Sequence, residues 1–245
     1  MRLFSPRKII LFILLSMHEP VKITKVAMFI DGSFFLQVNT FYKYHHYVGK
    51  SFHYSGFIDY VRHKVAQLEH SRYNLCQVVE AHWFRGRYPT SAMELKYPDP
   101  TKRLEIMTNE RKMEDTLIYQ GITSHYYPLQ VDHETGETQE RPINVWFATE
   151  ALAMAAQGLF DVLVIVGGDS EYKHLASKLS ALGVRTMVLG WNITYEADTQ
   201  NGFRSRYIKT SQALIDECTY PVWLDKIIDQ GLEDADRLIQ NLFHN

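Results

Sequence analysis

Short runs of Val, Ile and Phe alternate along this chain with segments that have the spacing of amphipathic helices. The runs typical of strands are residues 22–32, 75–84, 122–131, 162–168 and 184–191. Helical spacing of apolar positions occupies residues 57–70, 101–121, 144–161 and 170–183. Nearly continuous apolar strands that alternate with helices are typical of a parallel sheet covered on both faces. The alternation therefore predicts an α/β fold with a mostly parallel central sheet and right-handed crossovers.

Length and composition favour one globular domain. The chain has 245 residues, of which 46% are hydrophobic, and this is enough for one sizeable core. The formal net charge of −2 gives no overall attraction to polyanions, so any affinity for nucleic acid must come from a local basic surface. Cys76 and Cys218 provide neither a disulfide framework nor a metal-binding pair. We therefore expect a reducing, cytoplasmic location.

Composition divides the chain into three parts. Residues 1–21 form an N-terminal extension whose basic start and apolar run are similar to an export signal, but no small-residue cleavage site follows. The run is too short to span a bilayer, so we expect no membrane association and take Met17 as a candidate start. An export signal or membrane anchor is the alternative. Residues 22–224 are the predicted domain, and residues 225–245 are an acidic, partly helical tail packed on it.

Three connecting and helical segments carry further expectations. Pro, Gly and polar residues interrupt positions 85–100, which predicts a long loop. An exposed connection is expected at 132–142. The segment 144–161 is almost entirely apolar, so we expect a helix that is buried on most sides, with Asn144 as its N-cap.

Acidic side chains follow two of the predicted strands. Asp31 ends the first strand and Asp169 follows the fourth, with Glu171 two residues further on. Ligands of open α/β sheets bind outside the carboxyl ends of the strands, so these acids lie where a site is expected. Clustered carboxylates there would suit Mg²⁺ or Mn²⁺. The alternative is structural, because Asp-Gly favours a turn and Asp-Ser favours a helix N-cap.

The motifs "FIDGSFF" and "RPINVWFATEALAMAAQGLFDVLVIVGGDSEYKHLASKLSALGVRTMVLG" resemble the NYN domain of the PIN-like nuclease superfamily, which includes the LabA-like proteins. The resemblance extends from about Val26 to about Leu224. It implies a PIN-like three-layer α/β/α fold and a metal-dependent endoribonuclease, in which acids hold Mg²⁺ or Mn²⁺ for hydrolysis of RNA phosphodiester bonds. Single-stranded or structured RNA would be the partner, and a homodimer is left open.

Position by position, the resemblance assigns the metal-binding and catalytic roles to a small set of residues. Asp31 matches the first acid of the family, while Asp169 and Glu171 match the two acids of the later loop. Tyr172 takes an aromatic position of the same motif. Glu150 matches a further acid in the preceding helix and is added as a metal ligand.

Two departures from the family pattern bear on activity. Phe34 replaces the Asn of I-D-G-x-N, and Asn144 stands in the catalytic set where the family has a principal carboxylate. Asparagine keeps an oxygen but loses the negative charge, which weakens cation binding. Glu150 lies about 120° further round an ideal helix, so it cannot take the same place.

Three hypotheses about function follow. Either the remaining three acids still support RNA cleavage, or the domain is an inactive nucleic-acid-binding or regulatory module on the same fold. A different metal-dependent phosphotransfer enzyme has less support, because no D-x-D motif begins at the first strand.

Basic and hydroxyl side chains are the candidates for contact with a polyanion. Around Arg85 and Arg87, and again around Arg204 and Arg206, cations are interleaved with aromatic residues that could stack on bases. A solvated helix surface accounts for the basic residues of 101–121 about as well. The candidates for substrate binding are Ser33, Ser170, Lys173, His174, Arg85, Arg87, Arg204 and Arg206.

Overall fold

The computed structural model describes residues 22–131, 138–139, 141–199 and 202–244. The predicted extension 1–21 and most of the connection 132–142 lie outside these residues. No helix within the described part of the chain is long and apolar enough to cross a membrane.

The described residues form ten strands and nine α-helices. The strands are β1 Thr24–Asp31, β2 Cys76–Arg87, β3 Thr123–Pro128, β4 Gln130–Val131, β5 Thr138–Gln139, β6 Val162–Val166, β7 Arg185–Gly190, β8 Asn192–Thr199, β9 Gly202–Lys209 and β10 Tyr220–Trp223. The helices are α1 Gly32–Tyr44, α2 Tyr54–Leu68, α3 Thr90–Lys96, α4 Pro100–Tyr119, α5 Arg141–Ala156, α6 Tyr172–Ala181, α7 Gln212–Glu217, α8 Leu224–Glu233 and α9 Arg237–Gln240.

Six strands form one parallel sheet in the order β10-β7-β6-β1-β2-β3. From β1 the chain proceeds outward to β2 and β3, and it then returns to the other side of β1 to form β6 and β7. The strand order therefore reverses between β1 and β6, which is where open α/β sheets leave a crevice for ligands.

The sheet has a helical layer on each face, and the side chains of β1 show why. Val26, Met28 and Ile30 are buried in one core with residues from α1, α2, α8 and α9. Ala27 and Phe29, on the opposite face of the strand, are buried in a second core with residues from α5, α6 and α7. The predicted three-layer α/β/α fold with a parallel central sheet is therefore confirmed.

Three local expectations were wrong. Residues 85–100 are not one loop, because β2 continues in register with β3 as far as Arg87 and α3 follows it. Helix α5 begins at Arg141, so Asn144 lies in its first turn and is not the N-cap. A proline suits the first turn of a helix, which explains the earlier start. The same helix is buried along one side only, with Val145 62% exposed.

The sequence pattern did not indicate strands β8, β9 and β10. Strands β8 and β9 pair as an antiparallel hairpin outside the main sheet. Strand β10 adds a sixth strand beside β7. In the C-terminal tail, α8 and α9 bury Ile228 and Ile239 in the first core, which also contains Phe243.

The first core contains a hydroxyl group that yields a prediction about stability. Tyr60 is 2% exposed, and its hydroxyl has no hydrogen-bond partner. Burial, and secondarily the charge of Asp236, raise the pKa of Tyr60. The folded protein therefore keeps this hydroxyl neutral above pH 10, whereas the unfolded chain ionises it near the ordinary value of about 10. Stability is unaffected by this group below that pH and falls above it.

We predict that Tyr60→Phe leaves the free energy of unfolding at pH 8 unchanged or raises it by up to about 1 kcal/mol, because no buried polar group remains unpaired. The variant should also lose less stability between pH 9.5 and 11. Urea denaturation at a series of pH values measures both effects. Tyr119→Phe is the control, because Tyr119 is 89% exposed. A clear loss of stability at pH 8 would contradict the prediction.

Candidate functional site

A cleft opens at the point where the strand order reverses. Strands β1 and β6 pair in parallel register, with Ile30 opposite Val166, so their carboxyl ends lie side by side. Beyond these ends lies a cleft of about 540 Å³. Its walls are formed by Asp31, Ser33, Phe34, Gln37, Asn144, Gly168, Asp169, Glu171 and Lys209. The structure thus brings together the three predicted acids, Asn144 and Ser33.

Asp31 is fixed at the junction of β1 and α1. Its side chain caps α1 by accepting a hydrogen bond of 3.1 Å from the backbone N–H of Phe34. The next residue must be small, because a Cβ on Gly32 would lie 2.5 Å from the Trp83 ring. The predicted turn and capping role of Asp31 therefore coexists with a position on the cleft wall.

Asp169 orders the loop between β6 and α6. One of its carboxylate oxygens accepts a hydrogen bond of 2.9 Å from the backbone N–H of Glu171. Gly168, just before it, permits a close approach of two other elements. A Cβ there would lie 2.5 Å from the Phe34 ring and 2.8 Å from the Lys209 carbonyl oxygen. Phe34, which replaces the family's Asn, thus forms an apolar wall of the cleft.

Asn144 links the acids to one another. Its side-chain nitrogen donates to Asp169 at 2.8 Å and to Glu171 at 3.3 Å. Its side-chain oxygen accepts a hydrogen bond of 2.9 Å from the Tyr172 hydroxyl, which also lies 3.3 Å from a carboxylate oxygen of Asp31. A donor network therefore connects all three acids through one amide and one phenol.

The Tyr172 hydroxyl is held in its protonated form. Burial raises the pKa of Tyr172 well above its usual range, and the charges of Asp31 and Asp169 raise it further. Because the phenol stays protonated, it remains a hydrogen-bond donor. The amide of Asn144 must then turn its N–H₂ group toward the carboxylates, since an oxygen in that position would repel them.

The carboxylates of the cleft suit a divalent cation that keeps several bound waters better than one that is fully enclosed by protein ligands. Among the residues that the structure describes, no three His, Cys, Asp or Glu side chains are grouped so that they could hold a metal ion together. Mg²⁺, however, commonly takes one or two carboxylates and keeps several waters. Asp31 and Asp169, on the wall of one open cleft, fit that requirement.

Glu150 does not line the cleft, and its charge acts on a pair of histidines on the sheet. Burial lowers the pKa of both His82 and His125, and the Glu150 carboxylate acts on both in the opposite direction. The two imidazoles are hydrogen-bonded to each other at 2.9 Å. The structure thus separates Glu150 from the acids with which it was grouped.

The other predicted substrate contacts are dispersed. Ser170, Lys173 and His174 lie around the start of α6 and do not line the cleft, and Ser170 and His174 are exposed.

Arg85 and Arg87 are held by acids of α4. Arg85 forms an ion pair with Glu110, and Arg87 forms ion pairs with Glu110 and Glu114. These pairs connect α4 to the end of β2, so neither arginine is a freely available cation.

Arg204 and Arg206 lie on β9, opposite Ala197 and Tyr195 of β8. The cation that does line the cleft is Lys209, at the end of the same strand. Its placement depends on the hairpin, which the sequence pattern did not indicate. Alternation along β9 would have separated Lys209 from Arg204 and Arg206, but it would not have placed Lys209 at the cleft.

The fold and the cleft define an α/β protein with acids at the switch point of a parallel sheet. The family model of the NYN domain matches residues 25–225, so the chain belongs to the NYN domain family. Members of this family are generally nucleases with a PIN-like fold, which supports a hydrolase. They are also typically dependent on divalent metal ions.

Two further comparisons concern individual proteins. One solved structure to which the chain is similar is that of a protein of unknown function from Vibrio parahaemolyticus. It is 17% identical, with a TM-score of 0.49, and the match covers 85% of this chain and 96% of that one. A search of curated proteins finds no match to the chain.

The network around Tyr172 yields a second prediction about stability. Tyr172→Phe removes the hydroxyl that donates to Asn144, so a partly buried amide oxygen loses its partner. We predict a loss of about 1 kcal/mol, which lowers Tm by roughly 2–4 °C for a chain of this size. Thermal denaturation measures the change. Tyr60→Phe is the control, because it removes the same hydroxyl group from a position where the hydroxyl makes no hydrogen bond. Equal Tm values for the two variants would contradict the described network.

Proposed function

We propose that the protein hydrolyses RNA phosphodiester bonds with Mg²⁺ or Mn²⁺ held at the switch-point cleft. The observation that carries the proposal is the convergence of Asp31 and Asp169, from two neighbouring strand ends, on one open cleft. Carboxylates so placed are suited to hard cations with oxygen ligands. Membership of a family of nucleases supports the reaction class.

Each side chain of the cleft has a distinct part in this proposal. Asp31 and Asp169 would hold the cation, which supplies a water of lowered pKa and charge stabilisation for the phosphate. Lys209, which also lines the cleft, would attract and position the polyanion. Asn144 and Tyr172 are positioning residues, because their hydrogen bonds fix the carboxylates without entering the reaction.

Cleavage of 5′-labelled RNA in the presence of Mn²⁺ or Mg²⁺ tests the proposal. We predict that Asp31→Asn and Asp169→Asn each lower the cleavage rate by roughly a hundredfold or more, because both remove negative charge while preserving shape. Glu150→Gln is the matched control and should retain wild-type activity, since Glu150 does not line the cleft. Equal cleavage by the wild type and both Asn variants would mean that the cleft is not the site.

A second candidate function, RNA binding without cleavage, is favoured by the position of Asn144. Its amide donates to the carboxylates of Asp169 and Glu171 and so occupies oxygens that a cation would use. The hydrogen bonds of the amide also stabilise these carboxylates without any cation. A domain with this arrangement would retain the cleft and its lysine but bind cations weakly.

Restoring the carboxylate separates the two candidates. Asn144→Asp places a charge within hydrogen-bond distance of Asp169, so we predict a lower Tm in EDTA and a larger rise in Tm on addition of Mg²⁺ or Mn²⁺ than in the wild type. Differential scanning fluorimetry measures both.

Asn74→Asp, in the exposed turn before β2, is the control for the change in net charge. If Asn144→Asp gains cation affinity and cleavage appears only in this variant, the binding function is favoured for the natural chain. If the variant shows no additional response to the cation, the site does not bind metal through this group.

A further inference from the structure

One strand of the β8–β9 hairpin leads directly into the cleft. Lys209, the last residue of β9, lines the cleft. The chain just beyond it is anchored there, because the backbone N–H of Ser211 donates to the Gly168 carbonyl at 2.9 Å. Residues 202–207, in contrast, are exposed on both faces of the strand. The hairpin is therefore an arm that starts at the cleft and packs on α1 through Tyr195, while residues 202–207 of β9 stay exposed.

One face of β9 carries a row of exposed aromatic side chains. Alternation along a strand places Lys209, Tyr207, Ser205 and Phe203 on the same face. The ammonium group of Lys209 lies 5.1 Å from the centre of the Tyr207 ring, which agrees with that placement. Tyr207 is 59% exposed and Phe203 76% exposed. Two aromatic rings thus follow the cleft lysine along a single line.

Charge is divided between the two strands of the arm. β9 contributes Lys209 and, on its other face, Arg204 and Arg206. β8 contributes Glu196 and Asp198, which lie opposite Ser205 and Phe203 and share the aromatic face. The basic side chains of β9 therefore attract a polyanion, and the acidic side chains of β8 repel it. Its backbone would run along the edge of β9 that faces away from β8, with its bases over the aromatic row.

The aromatic rings suit unpaired bases better than paired ones. Tyr207 and Phe203 are four residues apart on one strand, so their rings lie roughly 14 Å apart. Bases in a duplex follow one another every 3.4 Å or so along each strand and cover each other's faces. Rings that are separated along a strand can instead each receive a base that has left its neighbours, as stacking surfaces for single strands do.

We propose that the outer face of β9 is a stacking surface for unpaired RNA that leads the strand into the cleft. Tyr207 and Phe203 each stack on a base, and Lys209 contacts the phosphate nearest to Asp31 and Asp169. This proposal rests on the proposed function for the identity of the ligand, but it assigns binding to residues outside the acidic site. The same surface would bind RNA even if the cleft did not cleave it.

Fluorescence anisotropy with a labelled 12-nucleotide single-stranded RNA in EDTA measures binding without cleavage. Tyr207→Ala and Phe203→Ala should each weaken binding by about five- to a hundredfold. Phe203→Leu should weaken it nearly as much, because it keeps apolar area but removes the ring. Tyr207→Phe should bind like the wild type. The affinity for a blunt duplex of the same sequence should not change in any variant.

Tyr119→Ala is the control for loss of an exposed aromatic residue. Tyr119 ends α4 just before β3 begins, so it lies at the opposite end of the sheet from the cleft. This variant should retain wild-type affinity. Unchanged binding in both alanine variants of the arm would overturn the proposal. If those variants instead convert a dimer into a monomer in sedimentation velocity while RNA affinity stays the same, the arm is a protein interface and the proposal is also overturned.

The outcomes distinguish this proposal from the proposed function. If the wild type binds RNA through the two rings but does not cleave it with Mg²⁺ or Mn²⁺, the stacking surface stands and the hydrolase does not. If the wild type cleaves RNA and both alanine variants keep its KM, the hydrolase stands and the stacking surface does not. If the wild type does not bind single-stranded RNA, the stacking surface is wrong, and if it cleaves neither single-stranded nor structured RNA, the hydrolase is wrong as well.

Discussion

The parallel pairing of β1 with β6 is the contact on which the site depends. Both strands are buried on both faces, so their register is fixed by packing as well as by backbone hydrogen bonds. Because the order of strands reverses here, the helices that follow the two strands diverge and leave a crevice. Asp31 and Asp169 lie at its rim because Asp31 ends β1 and Asp169 follows β6 after two glycines. Each also accepts a backbone hydrogen bond near the start of the following helix.

Several acids close together would repel one another, and the chain limits this repulsion with its own donors. The Tyr172 hydroxyl and the Asn144 amide form a short relay that ends on Asp169 and Glu171. The relay keeps the loop ordered without help from a cation. It also opposes cation binding, because a metal ion and the amide would compete for the same oxygens. Stronger hydrogen bonds from the amide would therefore make the loop more ordered and lower its affinity for a metal ion.

The parallel sheet, its two helical layers and the acids of the cleft could be predicted, because short stretches of sequence are enough to indicate them. Apolar runs that end in Gly or Asp mark the strand ends, and topology brings those ends together. The role of Asn144 could not be predicted in this way. The helix begins at Arg141, so Asn144 lies in its first turn and bridges carboxylates instead of capping the helix, and sequence patterns locate helix ends only to within about two to four residues.

The hairpin was missed although the sequence contained its signal. Asn201-Gly202 lies between two runs of alternating character, which indicates a hairpin turn nearby, although Gly202 itself belongs to β9 and pairs with Thr199. Once β9 is recognised, alternation separates Arg204 and Arg206 from Lys209 and Tyr207. The sequence could not reveal that Lys209 reaches the cleft, because that depends on the anchoring of the chain beside Gly168. Likewise, Glu150 matched the family pattern but does not line the cleft.

The extent of the family match and the extent of the folding unit differ. The match ends at residue 225, yet the chain beyond it closes the first core over α2. Phe243 packs against Phe52, the backbone N–H of His244 donates to the Ser51 carbonyl, and Gly56 must lack a side chain to admit the Asn241 backbone. A fragment that ended at the family boundary would expose this apolar surface to water. The family domain therefore ends at residue 225, whereas the cooperatively folded unit extends to the last helix and Phe243. A stable fragment must include the whole folded unit.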